Sequence, residues 1–119
     1  MQDRASMLIV LSPLSVEPKV NAPFFAGTVQ GDPQTRTWVN EGSKEEGFLS
    51  GIWEATEGTF EMNYPVWEFC HITAGRCVIR EEGRDPVELK AGDGFVCRKG
   101  LKGTWQVIET MTKHFVVRI

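Results

Sequence analysis

The sequence predicts an all-β fold of the sandwich or barrel type, and three observations support this prediction. From Thr35 onward, short apolar runs alternate with polar breaks that mostly contain glycine, which is typical of many short strands. No stretch shows the sustained apolar period of an amphipathic helix. The chain has 119 residues, of which 41% are hydrophobic and 24% charged, and this size and composition suit a single globular domain.

The N-terminal part differs from the rest in composition and in the pattern of apolar residues, so we divide the chain into an arm over residues 1–34 and a barrel over residues 35–119. The arm has one short apolar run at 7–11, which we expect to be a strand, and four prolines among polar residues. Because prolines interrupt strand pairing, the arm should be extended and partly irregular. We expect it to pack on its own barrel or on a partner subunit.

The barrel region contains the candidate strands in order. They read TRTWV, FLSGIWEA, TFEMNY, WEFCHITA, RCVIREE, PVELK, GFVCRK, TWQVIET and KHFVVRI. The pair Ala74–Gly75 predicts a tight turn that folds WEFCHITA back onto RCVIREE. The segment TMT at 110–112 is interpreted as a second turn, between the last two strands.

Charge and cysteine content argue against several classes of function. The net charge is −3 and no basic stripe is present, which disfavours nucleic-acid binding. The apolar run at 7–11 is shorter than the roughly 7–15 residues of a secretory signal or the about 20 of a membrane helix, so we expect a cytoplasmic protein without membrane contact. Three cysteines without a CxxC motif disfavour a disulfide framework or zinc knuckle, and we expect them to be small buried hydrophobes.

Two motifs in the expected order resemble the cupin superfamily, whose RmlC-like fold is a small jelly-roll barrel. The first has Gly58 upstream and ends in Glu68, six residues and Gly75; the second is AGDGFVCRKGLKG at 91–103. Within this superfamily, the chain is similar to the cupin family that includes (S)-ureidoglycine aminohydrolase and ethanolamine-utilization cupins. Two segments carry this similarity: GIWEATEGTFEMNYPVWEFCHITAGR, and GDGFVCRKGLKGTWQVIE followed by Lys113. The resemblance implies a single-domain cupin jelly roll and does not specify an activity.

The resemblance also implies a metal site that this chain cannot build in the usual way. The usual cupin site takes two His and the Glu from the first motif and a third His from the second, and such ligands suit Mn, Fe, Ni or Zn. The chain has two histidines, His71 and His114. The position of the third His falls on Gly103, which has no side chain to offer.

Spacing indicates what stands at the other two ligand positions. Counting back from Glu68 places Met62 and Tyr64 there, whereas a spacing one residue longer would place Glu61 and Asn63 there. A thioether and a neutral phenol are poor ligands for hard divalent metals. We therefore expect no cofactor, while a divalent metal at a non-standard site stays open as an alternative.

Strand alternation predicts which side chains line the barrel interior. If Glu68 faces inward, then His71 faces outward together with Phe69 and Thr73. The Ala-Gly turn would also place Cys77 and Ile79 inward. The predicted ligand-binding interior is aromatic and rich in sulfur, with one carboxylate: Trp53, Met62, Tyr64, Glu68, Cys70, Cys77, Phe95, Cys97 and Trp105.

Glu68 needs a hydrogen-bonding partner or a raised pKa in such surroundings, and Tyr64 is the expected partner. The carboxyl group could bind or protonate a small polar ligand, or it could be structural and held by backbone N–H groups or an Arg. Arg98 is expected at the barrel mouth, where it could meet an anionic ligand or simply be solvated. We expect Lys113 to pair with Glu109 across the TMT turn.

Three functions stay open at this point, and the sequence does not decide whether the protein is an enzyme. The first is a cupin that binds an unknown small polar molecule in the barrel without a metal. The second is a metal-dependent enzyme, aminohydrolase-like or isomerase-like, with a non-standard site around Glu68. The third is a structural or partner-binding module with a filled barrel. We also expect a homodimer, because open barrel edges are commonly covered by a partner and because Trp67 and Phe69 face outward.

Overall fold

The regular elements are all β-strands in the computed structural model, which describes residues 6–21 and 27–119. Pro23 of the predicted arm lies outside these ranges. The strands are β1 Lys19–Val20, β2 Gly27–Gln30, β3 Thr35–Ser43, β4 Phe48–Ala55, β5 Gly58–Asn63, β6 Trp67–Glu81, β7 Val87–Lys90, β8 Gly94–Cys97 and β9 Lys102–Arg118. The predicted all-β class is confirmed. Over the described ranges, no helix has the length and apolar character needed to span a membrane.

The strands form one curled antiparallel sheet, a half barrel, in which β9 is central. One edge of β9 pairs with β6 along almost its whole length. The other edge pairs first with β5 and then with β4. β6 also pairs with β7 and β8, so the segments that carry both cupin-like motifs meet on β6, β8 and β9.

Two predicted turns are wrong, because β6 and β9 each continue through them. Ala74 and Gly75 lie within β6, where the register of pairing with β9 shifts at a bulge. Gly75 has a φ of 79°, and a Cβ there would collide with the carbonyl oxygen of Thr110. A glycine with positive φ serves a bulge as well as a turn, and the long β6–β9 ladder selects the bulge. The TMT segment likewise lies inside β9.

The arm contributes short strands to both ends of the sheet. β1 pairs with β3, and β2 pairs with β5. The predicted strand at 7–11 is wrong, since this run is irregular and most of its side chains are exposed. Ser12, which follows it, exchanges backbone hydrogen bonds of 3.2 and 2.9 Å with the Asn40 side chain. The division between arm and barrel at residues 34 and 35 stays a prediction.

The inner face of the sheet holds the core, and its alternation is as predicted. Glu68, Cys70 and Ile72 are buried, whereas Phe69 and Thr73 are exposed and His71 is half-buried. Cys77 and Ile79 also face inward, although the hairpin used to place them does not exist. All three cysteines are free and buried, as expected. The homodimer stays a prediction.

Candidate functional site

The residues predicted for the barrel interior lie together on the inner face of the sheet. β6 supplies Glu68 and Cys70, and β8 supplies Phe95 and Cys97 opposite them: Glu68 pairs with Cys97, and Cys70 with Phe95. β6 also supplies Cys77, and the remaining members come from β4, β5, β9 and the segment after β5. Phe95 is partly buried, and the others form the buried core: Trp53, Met62, Tyr64, Glu68, Cys70, Cys77, Cys97 and Trp105.

Lys113, which the sequence reasoning did not place in the interior, is at the centre of this group. It lies on β9 in register with Trp53 of β4 and Ile72 of β6, and its side chain is 2% exposed. The predicted pairing with Glu109 is wrong, because Glu109 forms a salt bridge of 3.0 Å with Arg76 instead. The expectation failed because TMT, taken as a turn, is part of a continuous strand.

The Lys113 ammonium has three acceptors for its three protons. Its Nζ lies 3.1 Å from each carboxylate oxygen of Glu68 and 3.3 Å from the Sγ of Cys70. An ammonium group has three donors and no acceptor, so this set saturates it. A charge that is both paired and fully hydrogen-bonded can stay buried, whereas an unpaired one is very costly.

Two indole rings complete the surroundings of the ammonium. The Nζ lies 4.8 Å from the centroid of Trp53 and 4.6 Å from that of Trp105, within the range of cation–π attraction. The two rings meet edge to face at 5.8 Å. The Trp105 N–H donates to the Sδ of Met111 at 3.4 Å. The aromatic lining predicted for the interior therefore contacts a cation that belongs to the chain itself.

The predicted partnership between Tyr64 and Glu68 is confirmed. The Tyr64 hydroxyl donates to Oε1 of Glu68 at 2.7 Å. Burial, and then the Glu68 charge, raise the pKa of Tyr64 well above its ordinary value, so the hydroxyl keeps its proton and acts as a donor. The other expected holders of Glu68, backbone N–H groups or an Arg, are replaced by Lys113.

Tyr64, Glu68, Cys70, Cys97 and Lys113 lie together in the interior, are here called the buried ion cluster, and influence one another's pKa values. Burial lowers the pKa of Lys113, but Cys70 and Glu68 raise it by more, so its net shift is upward and the ammonium persists. Burial and a hydrogen bond to Cys97 raise the pKa of Cys70. The same hydrogen bond lowers the pKa of Cys97.

The third cysteine, Cys77, has a different environment. It lies farther along β6, and burial raises its pKa to about 12. It therefore stays a thiol at neutral pH. This agrees with the expectation that it is a small buried hydrophobe.

An open cavity of about 840 Å³ lies next to this cluster, at the rim formed by β6, β7, β8 and the segment before β9. Of the residues predicted to bind a ligand, Phe95, Cys97 and Arg98 line it. The predicted place of Arg98 at the barrel mouth stays a prediction. The other predicted residues are not part of its lining, and their role in ligand binding stays a prediction. Cys97 is the only member of the buried ion cluster among the described lining residues.

The residues around Glu68 do not fit the metal site implied by the cupin resemblance. Both oxygens of Glu68 accept hydrogen bonds from Lys113. The backbone at Gly103 packs so closely that a Cβ would collide with the carbonyl oxygen of Arg80, so a larger ligand residue has no room there. Within residues 6–21 and 27–119, no three His, Cys, Asp or Glu side chains are grouped to hold a metal ion.

Comparison with a family model and with curated proteins gives two results. Residues 42–115 match the model described as the EutQ-like cupin domain, which is more than half of the chain. No curated protein matches the chain.

Solved structures with the same fold include three informative cases. The chain is similar to a DUF861-family protein of unknown function from Pseudomonas syringae pv. tomato str. DC3000, with a TM-score of 0.76 and 18% identity over 90% of this chain and 46% of that one. It is similar to the EutQ protein of Clostridium difficile, with a TM-score of 0.62 and 23% identity over 72% and 68%. It is similar to a predicted oxalate decarboxylase from Thermotoga maritima, with a TM-score of 0.70 and 14% identity over 92% and 98%.

These likenesses show the fold alone, because all three identities lie below 25%. The chain also spans less than half of the Pseudomonas protein, at 46% of its length. The chemistry of the site therefore depends on its own residues.

Proposed function

Because the chain belongs to the EutQ-like cupin domain family, as its motifs predicted, we propose that it binds a small molecule in the cavity at the barrel rim. The observation that carries this proposal is the contrast between the interior and the rim. The interior beside Glu68 is filled by Lys113, Trp53 and Trp105. The rim has open space of about 840 Å³, which is the size of a typical ligand pocket.

The lining of the cavity favours a ligand with an apolar body and an anionic end. Ile79, Leu89 and Leu101 provide apolar walls, and Phe95 provides an aromatic one. Arg98 is one of the residues that line the cavity. A guanidinium group recognises carboxylates well because it can donate two parallel hydrogen bonds.

The polar rim provides further selectivity. Arg84 and Lys99 add positive charge, while Glu81 and Asp85 add negative charge. Within the described part of the chain, neither Arg84, Arg98 nor Lys99 forms a salt bridge. The proposed ligand class is therefore a small carboxylate whose apolar part lies against Phe95. Catalysis is not part of this proposal.

A matched pair of Val→Trp substitutions tests where ligands bind. Val87 lines the cavity and is 52% exposed, so Val87→Trp should obstruct part of the cavity without disturbing the core. Val29 on β2 is 58% exposed and does not line the cavity, so Val29→Trp is the control. Small aliphatic and aromatic carboxylates are screened by thermal shift, and the hits are measured by calorimetry. We expect Val87→Trp to weaken hits by roughly tenfold or more, and Val29→Trp to leave them unchanged.

Two results would contradict the proposal. One is a hit that binds equally well to both variants, because its site would then lie elsewhere. The other is a screen without hits.

The second candidate function is a structural or partner-binding module with a filled barrel. It is favoured by one specific observation, namely that Trp105, Lys113 and Met62 are almost completely buried in the interior. A screen without hits would favour this module over a small-molecule binder.

A further inference from the structure

We propose that the Lys113 ammonium is a resident cation that takes over the role of the metal ion in this barrel. In the usual cupin site, a divalent ion neutralises the inward Glu. Here the ammonium contacts both oxygens of that carboxylate at 3.1 Å. The inference is independent of whether the rim cavity binds a ligand.

The surroundings of Lys113 are those of a built cation site. Its Nζ has three acceptors, two from Glu68 and one from Cys70, and two indole rings face it. Aromatic rings that face a cation are a recurring means by which proteins recognise ammonium ligands. Tyr64 donates to the same carboxylate and so helps to fix its orientation.

The same contacts disfavour a metal in addition to the lysine. A divalent ion at Glu68 would have to displace the Nζ, which would leave a buried ammonium without its anion. The neighbouring positions offer a thioether at Met62 and a phenol at Tyr64 whose hydroxyl already donates to Glu68, and hard metals accept both poorly. The chemical class that fits this site is therefore a primary alkylammonium ion.

Truncation of Lys113 gives a direct test by chemical rescue. Lys113→Ala removes Cγ, Cδ, Cε and Nζ, which together correspond to a propylammonium ion. The Glu68 carboxylate is then left without its cation, so we expect the Tm to fall by about 10 °C or more. Propylammonium chloride should raise the Tm of Lys113→Ala in a saturable way, and should raise that of the wild type much less.

Three controls separate occupation of the site from general effects. Sodium chloride at the same ionic strength, and neutral 1-propanol, should each fail to restore the Tm. The double variant Glu68→Gln/Lys113→Ala should not respond to propylammonium, because the carboxylate is gone. Equal rescue by 1-propanol, or rescue of the double variant, would overturn the proposal, since the cation would then not be what the site recognises.

The wild-type protein provides a second test that does not depend on the folding of any variant. The protein, purified without a His tag, is examined by elemental analysis and titrated with Mn²⁺, Ni²⁺ and Zn²⁺. We expect no stoichiometric metal and no saturable change in Tm. A stoichiometric metal that is lost in Glu68→Gln would overturn the assignment of Lys113 as the resident cation.

Discussion

Two ion pairs cross the same pair of strands, β6 and β9, and have opposite surroundings. Lys113 and Glu68 meet at 3.1 Å with side chains 2% and 3% exposed. Arg76 and Glu109 meet at 3.0 Å with side chains 48% and 61% exposed. The distances are almost equal, so the difference between the pairs is their environment.

This difference changes what each pair contributes. The exposed pair exchanges contacts with water for contacts with each other, and its net stabilisation is small. The buried pair gives up its hydration entirely, so each partner depends on the other and on the supporting contacts of Tyr64 and Cys70. Loss of one partner of the buried pair should therefore destabilise the fold strongly, whereas loss of one partner of the exposed pair should not.

The largest expected effect comes from breaking the buried pair on one side only. Lys113→Met keeps much of the shape of the side chain but leaves the Glu68 carboxylate buried without its cation. We expect a loss of about 3–5 kcal/mol in the free energy of unfolding. Urea denaturation of the wild type and the variant measures it.

The double variant Lys113→Met/Glu68→Gln isolates the cause of this loss. Because both charges are then absent, it should be more stable than Lys113→Met alone. If the single variant were as stable as the wild type, the buried pair would not constrain the fold, and the comparison with the surface pair would fail.

Local patterns in the sequence were enough to predict the strand class and the inward face of β6. With Glu68 taken as inward from its place in the cupin-like motif, alternation placed Cys70 on the same face, and Tyr64, four residues before Glu68, is its hydrogen-bond donor. These features depend on residues near one another in the chain. They could therefore be read from short segments.

Lys113 was misplaced, because its position depends on how far β9 extends. The run Trp105, Val107, Met111, Lys113, Phe115 and Val117 alternates inward along the strand. Thr110–Thr112 contains no glycine or proline, and threonine favours strands, so this run was the available signal for a continuous strand. No such local signal distinguishes a bulge from a turn at Gly75, since only the long-range pairing of β6 with β9 decides between them.

A smaller loss of stability is expected at alkaline pH, and Tyr64 is a convenient probe of it. Tyr64 is the single tyrosine of the chain. Because burial and Glu68 raise its pKa in the folded state, stability from this group is fully present below about pH 10 and is lost as the pH rises. The pKa of Lys113 is also raised in the folded state, so its contribution to stability is likewise lost as the pH rises.

Ultraviolet absorbance near the tyrosinate band measures this directly. We expect the folded protein to show no tyrosinate signal at a pH where the urea-unfolded chain is already ionised, and the signal to appear together with unfolding seen by circular dichroism. A gradual ionisation near pH 10 without unfolding would mean that Tyr64 is accessible to solvent and not a fixed donor to Glu68.

The smallest expected effect comes from breaking the exposed pair. Arg76→Ala removes the partner of Glu109, but water can solvate the carboxylate that remains. We expect a change of less than about 1 kcal/mol in the free energy of unfolding, which decreases further when salt is added. Urea denaturation of the wild type and the variant, at low and at high salt, measures this change and its dependence on salt. The N–O distances of the two pairs are almost the same, so burial is the difference that should matter. If Arg76→Ala lost as much stability as Lys113→Met, the position of a pair on the β6–β9 ladder, and not its burial, would set its contribution.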